Sequence, residues 1–504
     1  MLPGTGPRSA EWFIDAVADE GTWEWWDEPV AQRVGDPAYR ESIARATERS
    51  GVDEAVLTGE ARIGGHRVVL VVSEFGFLAG SIGHCAARRI IRAVERATAM
   101  RLPVIAAPAS GGTRMQEGTP AFVEMIQIAS AVHRHKSATL PYLVYLRHPT
   151  TGGVLASWGS MGNITVAEPG ALVGFLGPRV YATLTGEQFP PGVQQSDNLL
   201  DHGVIDAVMS PEEFRTLAVT VLGAVTVREP SAAPLEPSRD VPEVEAWDAV
   251  SRSRLPDRPG VVGLLTHSAG PAIRLSGNNQ GEVSQTIVVA VTSFGGIGCV
   301  VVGQDRHAQF PEPSLGPGDL RVARRGIRLA DELGLPVVCV IDTPGATLSV
   351  EAEEGALSGE IARTTADLLA TRAPSLSVLL GQGCGGGAIA LLAGDRVIAA
   401  ENSWLSPLPL EGASAIMYRD ATHAREMAHD QGVWSTRLLA DGIVDVVVPE
   451  GEPRDASELC RRIGRQIHDE LRVMVHPPQS SRPPTPGTVP GHSHHSTKRH
   501  VPSF

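Results

Sequence analysis

Two pairs of glycines are the residues of this sequence best placed to do chemistry, although neither pair carries a reactive side chain. Gly152 and Gly153 stand in "PTTGGVLAS", and Gly386 and Gly387 stand in "CGGGAIALL". Each pair follows an apolar strand and precedes a predicted helix of small residues. Backbone N–H groups at such a turn can hold an oxyanion that forms at a carbonyl. The alternative is tight helix–strand packing, but recurrence at matching places favours a pair of catalytic oxyanion sites.

A second kind of glycine turn also occurs twice, in "GGTRMQEG" and in "IDTPGAT". These two turns supply the candidate substrate-binding residues, which are Gly111, Gly112, Arg114, Gly345 and Ala346. Arg114 precedes a predicted helix start, where its charge would suit an anionic ligand. An ion pair with Glu117, three residues further along, is the alternative for this side chain.

An internal duplication supplies the elements that must position these residues. The segment 92–112 aligns with 325–345, an offset of 233 residues, and Gly153 aligns with Gly387 at an offset of 234. Each aligned block alternates an amphipathic helix with a short Val/Ile/Leu strand, which is typical of stacked parallel β-α units. The sequence therefore predicts an α/β protein made of two copies of one fold.

The predicted domain boundaries follow the composition of the chain. A segment with four prolines, 228–247, separates the copies, and we place the cut near residue 236. The prediction is therefore an N-terminal domain over 1–235 and a C-terminal domain over 236–476. The Pro/Ser/His-rich end, 477–504, has too few apolar residues to pack and is predicted to be a disordered tail.

Charge and cysteine usage exclude several classes of function. The 504 residues carry 43 Lys and Arg against 57 Asp and Glu, a net charge of −14, which argues against nucleic acid as a partner. The five cysteines form no C-x-x-C pair and no metal-binding histidine spacing occurs, so no metal site is predicted. Since no long apolar run or secretory signal is evident, we expect a cytoplasmic protein without a membrane partner.

Several long motifs resemble those of the biotin-dependent acyl-CoA carboxylases, specifically the carboxyltransferase component of bacterial acetyl-CoA carboxylase. The motifs similar to its β subunit are Ser110–Gly118, His148–Val154 and Ala167–Arg179, and those similar to its α subunit are 341–347, 381–388 and 409–412. Their order resembles a β–α fusion, over roughly residues 40 to 450. The zinc ribbon that usually begins the β subunit has no counterpart, because Cys85 is the first cysteine, so no zinc is expected.

The resemblance implies two tandem crotonase-like (ClpP/crotonase) β-β-α spiral domains. It also implies transfer of a carboxyl group from carboxybiotin to acetyl-CoA, which gives malonyl-CoA for fatty acid synthesis. On this basis Gly152 and Gly153 would hold the acyl-CoA thioester oxyanion, and Gly386 and Gly387 the biotin ureido oxyanion. The implied partners are a biotin carboxyl carrier protein, a biotin carboxylase and further copies of this chain, as a homodimer or larger oligomer.

Other functions stay open at the level of sequence. Propionyl-CoA or another acyl-CoA would suit the same motifs, as would the reverse reaction of a biotin-dependent acyl-CoA decarboxylase. A hydratase or isomerase would need glutamates over the acyl chain, for which Glu117 and Glu168 are the candidates. A non-catalytic acyl-CoA-binding scaffold would retain the glycine turns for packing.

Overall fold

The chain divides into two units, each built around one large β-sheet. The computed structural model describes residues 9–29, 36–226, 243–309, 315–451 and 455–475. The first unit takes its described residues from 1–223, 275–283 and 332–334, and the second takes them from 224–274, 284–331 and 335–504. The predicted boundary near residue 236 and the predicted tail lie outside the described residues and stay predictions.

The first unit has a seven-stranded sheet in the order β1-β2-β3-β4-β5-β7-β9, and β6 pairs with β8 beside it. β2 and β3 are antiparallel, and the strands from β3 to β9 run parallel to their neighbours. Its elements are α1 (Ala10–Val17), β1 (Glu24–Trp25), α2 (Pro37–Ser50), β2 (Val56–Ile63), β3 (His66–Ser73), α3 (His84–Met100), β4 (Val104–Ala107), α4 (Gly118–Ser137), β5 (Tyr142–Leu146), β6 (Thr150–Thr151), β7 (Ile164–Ala167), β8 (Val173–Gly174), α5 (Pro178–Thr185), α6 (Ser196–Asp201), β9 (Ala207–Val208) and α7 (Pro211–Val225).

The second sheet repeats this plan in the order β10-β11-β12-β13-β14-β15-β17, with β16 paired to β14. An antiparallel hairpin, β11–β12, is again followed by parallel strands. The remaining elements are α8 (Ala246–Ser253), α9 (Val261–Ser268), β10 (Ile273–Leu275), β11 (Ile287–Phe294), β12 (Ile297–Gln304), α10 (Pro317–Leu333), β13 (Val337–Thr343), α11 (Val350–Glu354), α12 (Leu357–Ala370), β14 (Ser375–Cys384), α13 (Gly385–Leu392), β15 (Arg396–Ala400), β16 (Trp404–Ser406), α14 (Leu410–Tyr418), α15 (Ala424–Asp430), α16 (Ser435–Ala440), β17 (Val446–Val448) and α17 (Ala456–Val475).

Both hairpins turn through two consecutive glycines. Gly64 and Gly65 have φ of +57° and +82°, and Gly295 and Gly296 have φ of +56° and +88°. Two successive positive φ values give the tight turn whose twist matches the flanking strands, and glycine adopts them without steric cost. The same local chemistry therefore starts the sheet of each unit.

Helices cover the parallel strands because their apolar residues fall on one side. In α3, for example, Ala86, Ile90, Ala93, Val94 and Ala97 are buried at the helical spacing of three or four residues. The strands are apolar on both faces, as in β4, of which every residue is buried. This burial pattern is that of parallel strands within an α/β sheet. The glycine turns follow strands of these two units.

Candidate active site

The first glycine turn, Gly152–Val154, follows β5 and β6 in the first unit. Gly152 has φ of +67°, which glycine adopts readily. Its N–H donates to the carbonyl oxygen of Phe175 at 3.0 Å, whereas no described residue accepts a hydrogen bond from the N–H of Gly153 or of Val154. The N–H groups of this turn without a described acceptor are therefore those of Gly153 and Val154, and Gly152 shapes the turn.

The segment after the first turn is irregular, so the predicted helix is wrong here. One helical hydrogen bond forms, from the N–H of Ala156 to the carbonyl of Gly152 at 3.1 Å. The Ser157 hydroxyl donates to the carbonyl of Gly153 at 2.6 Å. The same kind of bond, from Thr98 to Val94, lies within the regular helix α3, so it does not by itself prevent a helix. The chain instead enters a short 3-10 segment, Trp158–Ser160.

The second glycine turn, Gly385–Gly387, lies where β14 ends and α13 begins. Gly385 has φ of +63°, and the N–H groups of Gly386 and Gly387 belong to the first turn of the helix. N–H groups at that place have no acceptor within their own helix, and no side chain caps this end of α13. The side chain of Gln304 donates to the carbonyl oxygen of Gly387 at 2.7 Å and fixes the backbone there. This turn presents N–H groups at the positive end of a helix.

Cys384 stands directly before the second turn, but it does not supply a nucleophile. The residue is buried, and burial raises the pKa of its thiol to about 12. A thiol with that pKa is protonated at neutral pH, and the thiolate is the reactive form. The backbone donors are therefore what the second turn offers to a ligand.

The two turns correspond at an offset of 233 residues, one less than the sequence alignment gave for them. Gly152 and Gly385 are the residues with positive φ. The next residues, Gly153 and Gly386, each face the preceding long helix. A Cβ on Gly153 would lie 2.9 Å from the Oγ1 of Thr113 and 3.5 Å from the side chain of Met125 in α4. A Cβ on Gly386 would lie 2.6 Å from the side chain of Ile361 in α12.

This correspondence pairs Val154 with Gly387, and both residues are buried. Val154 is thus a candidate donor that sequence reasoning missed, because its side chain did not mark it as part of a glycine turn. The offset of 233 between the segments 92–112 and 325–345 was the signal that would have identified it.

Each glycine turn packs beside a loop that a hydroxyl group closes. The Oγ of Ser110 accepts a hydrogen bond from the N–H of Gly112 at 3.0 Å. In the second unit the Oγ1 of Thr343 accepts one from the N–H of Gly345 at 3.1 Å. Gly112 and Gly345 have φ of +105° and +134°, a region that favours glycine.

Close backbone approach joins each of these loops to its glycine turn. A Cβ on Gly152 would lie 3.2 Å from the Cα of Gly112, and a Cβ on Gly387 would lie 3.8 Å from the nitrogen of Ala346. Gly111 adjoins the first turn as well, since a Cβ on Gly152 would lie 3.4 Å from its carbonyl oxygen. Four of the five predicted substrate-binding residues thus adjoin the glycine turns of their own units, namely Gly111, Gly112, Gly345 and Ala346.

Arg114, the fifth predicted substrate-binding residue, has no exposed surface and is committed to protein partners. Its guanidinium donates to both carboxylate oxygens of Glu54 and, at 2.7 Å, to the carbonyl oxygen of Ser81. A longer contact of 3.4 Å reaches Glu117, the partner weighed for it as the alternative. Direct contact between Arg114 and a ligand would require Glu54 to move.

The two glutamates considered for hydratase chemistry also hold loops. Glu117 accepts hydrogen bonds at 2.6 Å from the hydroxyl of Tyr39 and from the N–H of His84. Glu168 accepts one from the N–H of His148 at 3.0 Å. Both carboxylates thus have structural partners, which counts against the hydratase alternative without supplying a direct test of it.

Asp342 performs a structural task next to the second turn. Its carboxylate is fully buried, accepts from Arg306 at 3.2 Å and accepts from the N–H of Gln382 at 2.9 Å. Burial raises the pKa of Asp342, while the charge of Arg306 opposes that shift. These contacts tie the end of β13 to the end of β14, after which the second turn begins.

The described ranges contain neither a metal-binding cluster nor a membrane-spanning helix. No group of three or more His, Cys, Asp or Glu side chains is arranged there to hold a metal ion. None of the helices described is both long enough and apolar enough to cross a bilayer. All five cysteines are free thiols.

Comparison with protein families matches residues 28–454 to the model described as "Carboxyl transferase domain". The probable biotin-dependent acyl-coenzyme A carboxylase beta3 subunit of Mycobacterium tuberculosis is 53% identical over 463 residues, which cover 90% of this chain and 92% of the relative. The acetyl-coenzyme A carboxylase carboxyl transferase subunits beta/alpha of Salinispora arenicola are 35% identical over 434 residues, with 82% and 76% covered.

Among solved structures, the chain is similar to transcarboxylase 12S, described as a hexamer with methylmalonyl-coenzyme A and methylmalonic acid bound. The TM-score is 0.75 at 18% identity, with 97% of this chain and 93% of that chain covered. A single-chain, multi-domain long-chain acyl-CoA carboxylase gives 0.69 at 19% identity, with 91% and 46% covered. At these identities the likeness concerns the fold alone, and it confirms the predicted tandem crotonase-like α/β architecture.

Proposed function

The chain belongs to the carboxyl transferase domain family of biotin-dependent acyl-CoA carboxylases, and on this basis we propose that it carboxylates acetyl-CoA to malonyl-CoA for fatty acid synthesis. Biotin-dependent acyl-CoA carboxyl transfer is the activity of the family. The narrower choice of acetyl-CoA is supported by the β–α order of the motifs and by the 35% identity with fused acetyl-CoA carboxylase subunits. The observation that carries the mechanism is the pair of N–H turns at matching places in the two units.

The first turn is proposed to bind the thioester carbonyl of acyl-CoA. Loss of a proton from the α-carbon places negative charge on the thioester oxygen. The N–H groups of Gly153 and Val154 then donate to that oxygen without having to reorient. Loss of one such donor typically lowers kcat by about 10²–10³. Gly152, whose N–H is bonded to Phe175, holds the turn in shape.

The second turn is proposed to receive the biotin of the carrier protein. Its donor set fits the ureido carbonyl, because the N–H groups of Gly386 and Gly387 stand uncapped at the start of α13. Carboxybiotin supplies the activated carboxyl group and, after its release as CO₂, the base for the α-proton. The chain itself contributes donors that favour negative charge on the ureido oxygen. These assignments give the duplication a purpose, since each unit serves one of the two substrates.

Other proteins are proposed to complete the reaction. Relatives of this family act with biotin on a partner subunit, so we expect a separate biotin carboxyl carrier protein and a biotin carboxylase. Association of several copies is also proposed, since transcarboxylase 12S is described as a hexamer. Exposed apolar side chains would be covered in that way, namely Met115, Phe122 and Ile126 in the first unit and Ile416 and Met417 in the second. Light scattering of the purified chain should therefore give the mass of a dimer or larger assembly.

The cytoplasm is the compartment proposed for this reaction. The five free thiols are typical of a reducing environment. Measuring the chain in fractionated cells tests the assignment, which predicts that it occurs with the cytosolic enzymes.

The proposed function is tested by running the reaction backwards. Malonyl-CoA and methylmalonyl-CoA are supplied separately with free biotin as the acceptor, and loss of the carboxyl group is followed with and without biotin. Biotin-dependent decarboxylation that is faster with malonyl-CoA supports acetyl-CoA as the substrate of the forward reaction. If neither compound reacts in a biotin-dependent way, the assignment as a carboxyltransferase is wrong.

Propionyl-CoA is the second candidate substrate. The transcarboxylase structure was solved with methylmalonyl-CoA bound, and one methylene changes discrimination by only about 1–3 kcal/mol. A faster reaction with methylmalonyl-CoA in the same assay would support this candidate. Tight acyl-CoA binding without any turnover would instead favour the scaffold, and a reaction that runs only towards decarboxylation would favour the decarboxylase.

A further inference from the structure

A buried ion pair between Arg114 and Glu54 lies next to the loop that supports the first turn. No chemical step of the proposed reaction uses this pair. The side chains of Arg114 and Glu54 have no exposed surface. The guanidinium is forked onto the carboxylate, with Nη1 at 3.1 Å from Oε2 and Nη2 bonded to Oε1. Nη2 also donates to the carbonyl oxygen of Ser81 at 2.7 Å. Arg114 thus links three segments of the first unit that are distant in sequence.

Backbone hydrogen bonds extend this link to the loop that supports the first turn. The N–H of Ile82 donates to the carbonyl of Gly112, and the N–H of Arg114 donates to the carbonyl of Ile82, both at 2.9 Å. Gly112 is in turn the residue against which Gly152 packs, since a Cβ on Gly152 would lie 3.2 Å from its Cα. These bonds connect the backbone of Arg114 with the loop and, through Gly112, with the turn at Gly152.

A second set of hydrogen bonds connects the ion pair with α2, through Tyr39. The hydroxyl of Tyr39 donates to Glu117 at 2.6 Å and lies 3.4 Å from Nη1 of Arg114. Glu117 also accepts from the first N–H of α3, that of His84, at 2.6 Å. The start of α3 and the end of the supporting loop are thereby held in one hydrogen-bonded group.

The expected benefit of such a group is geometry more than stability. A buried ion pair often contributes no more to stability than apolar side chains of the same volume. A guanidinium that is forked onto a carboxylate adds a fixed orientation, which a lysine cannot reproduce. Donors for a developing oxyanion need that kind of fixed placement, within a few tenths of an ångström.

We propose that Arg114 and Glu54 are positioning residues for the first turn, holding the loop 110–114 so that the N–H groups of Gly153 and Val154 meet the acyl-CoA thioester oxygen. The role rests on the proposed function of that turn. The second unit uses a different pair, since Arg306 donates there to Asp342 at 3.2 Å and to the carbonyl of Leu255 at 3.0 Å. That pair offers a matched control, because Asp342 also accepts a hydrogen bond from the N–H of Gln382, just before the turn assigned to biotin.

The test compares Arg114→Lys with Arg306→Lys. Both variants keep the charge; the first loses the fork onto Glu54, and the second loses the pair of bonds that Arg306 makes to Asp342 and to the carbonyl of Leu255. In the reverse assay Arg114→Lys should lower kcat with malonyl-CoA by about 10- to 100-fold, an error of placement comparable with losing part of one donor. Its KM for free biotin should stay within about twofold of wild type, because the biotin turn is untouched. Arg306→Lys should show the reverse pattern, with the KM for biotin raised. If folded Arg114→Lys raises the KM for free biotin by as large a factor as it lowers kcat with malonyl-CoA, the proposal is overturned.

Hydrogen exchange provides a readout that does not depend on activity. In Arg114→Lys, amide exchange should quicken in the peptide 150–155 as well as in 110–116, while β4 and β5 keep their protection. Tyr39→Phe, which spares the ion pair, should show a smaller change in the same peptides. Unchanged exchange at 150–155 would overturn the positioning role, even if the enzyme proved to have another substrate. Wild-type protein without biotin-dependent turnover would instead contradict the proposed function, and the exchange result would still decide the role of Arg114.

Discussion

The two glycine turns share a backbone arrangement and differ in what holds it. In the first unit the turn leads into irregular chain, and the loop beside it is fixed from its far end by Arg114 and Glu54. In the second unit the turn begins a regular helix, and the loop is fixed from its near end by Asp342 and Arg306. Backbone donors are thus the feature that the two units share, whereas the ion pairs that support them differ.

The largest expected effect is that of a side chain on the glycine that shapes the first turn. Gly152→Val should lower the rate of the reverse reaction by about 10³-fold. Valine at this position would be strained by the positive φ, and its Cβ would lie 3.2 Å from the Cα of Gly112, so the donors are displaced. Gly170→Val is the matched control, since Gly170 has φ of +68° and nothing within 4 Å of its Cβ position. Both variants are measured by the reverse assay and by thermal unfolding. A similar loss of activity in folded Gly170→Val would contradict the account.

A smaller and reversible effect is expected at the second turn. A Cβ on Gly386 would lie 2.6 Å from the Cδ1 of Ile361, the mobile end of a side chain. Gly386→Ala should therefore slow the reaction by about 10- to 30-fold, less than the full loss of a donor. The double variant with Ile361→Ala should recover to within about fivefold of wild type, because the space is restored. If Ile361→Ala gives no recovery, the backbone at Gly386 is not limited by that contact.

The long helices beside the two turns should respond differently to acid. α4 contains His135, which is fully buried, and the segment of α12 contains no histidine. Burial lowers the pKa of His135 to about 4. The unfolded chain then binds more protons than the folded one below pH 6.5, so stability falls as the pH falls, by about 2 kcal/mol between pH 7 and pH 5.

The variant His135→Gln should lose this part of the pH dependence. Urea unfolding at pH 7 and at pH 5 measures it, with circular dichroism as the signal. A variant whose free energy of unfolding changes with pH as much as that of wild type would show that His135 is not the group responsible.

The smallest expected effect on rate is that of Val154→Ala. Only the N–H of Val154 is assigned a role, so kcat should stay within about threefold of wild type. The side chain is fully buried, and its loss should cost about 2 kcal/mol of stability. A fall in kcat of more than about tenfold in the folded variant would assign the role to the side chain instead of the backbone.

The sequence predicted the features that depend on local pattern and spacing. The duplication was visible because apolar strands, amphipathic helices and glycines recur at nearly constant offsets. The sequence did not show which N–H of the first turn lacks an acceptor, because this depends on the hydrogen bond from the N–H of Gly152 to the carbonyl of Phe175. The partner of Arg114 was missed for a similar reason, since Glu54 lies 60 residues earlier in the chain. The irregular chain after the first turn was not visible either, and the hydroxyl bond from Ser157 to Gly153 does not explain it, because the same bond from Thr98 to Val94 lies within the regular helix α3.

The most direct test of the central claim is to separate the two substrates. Gly153→Ala and Gly386→Ala are compared by the affinity for malonyl-CoA, from calorimetry, and by the KM for free biotin in the reverse assay. The account predicts that Gly153→Ala weakens malonyl-CoA binding and spares the KM for biotin, whereas Gly386→Ala does the opposite. If both variants change both quantities to the same extent, the assignment of one turn to each substrate is contradicted.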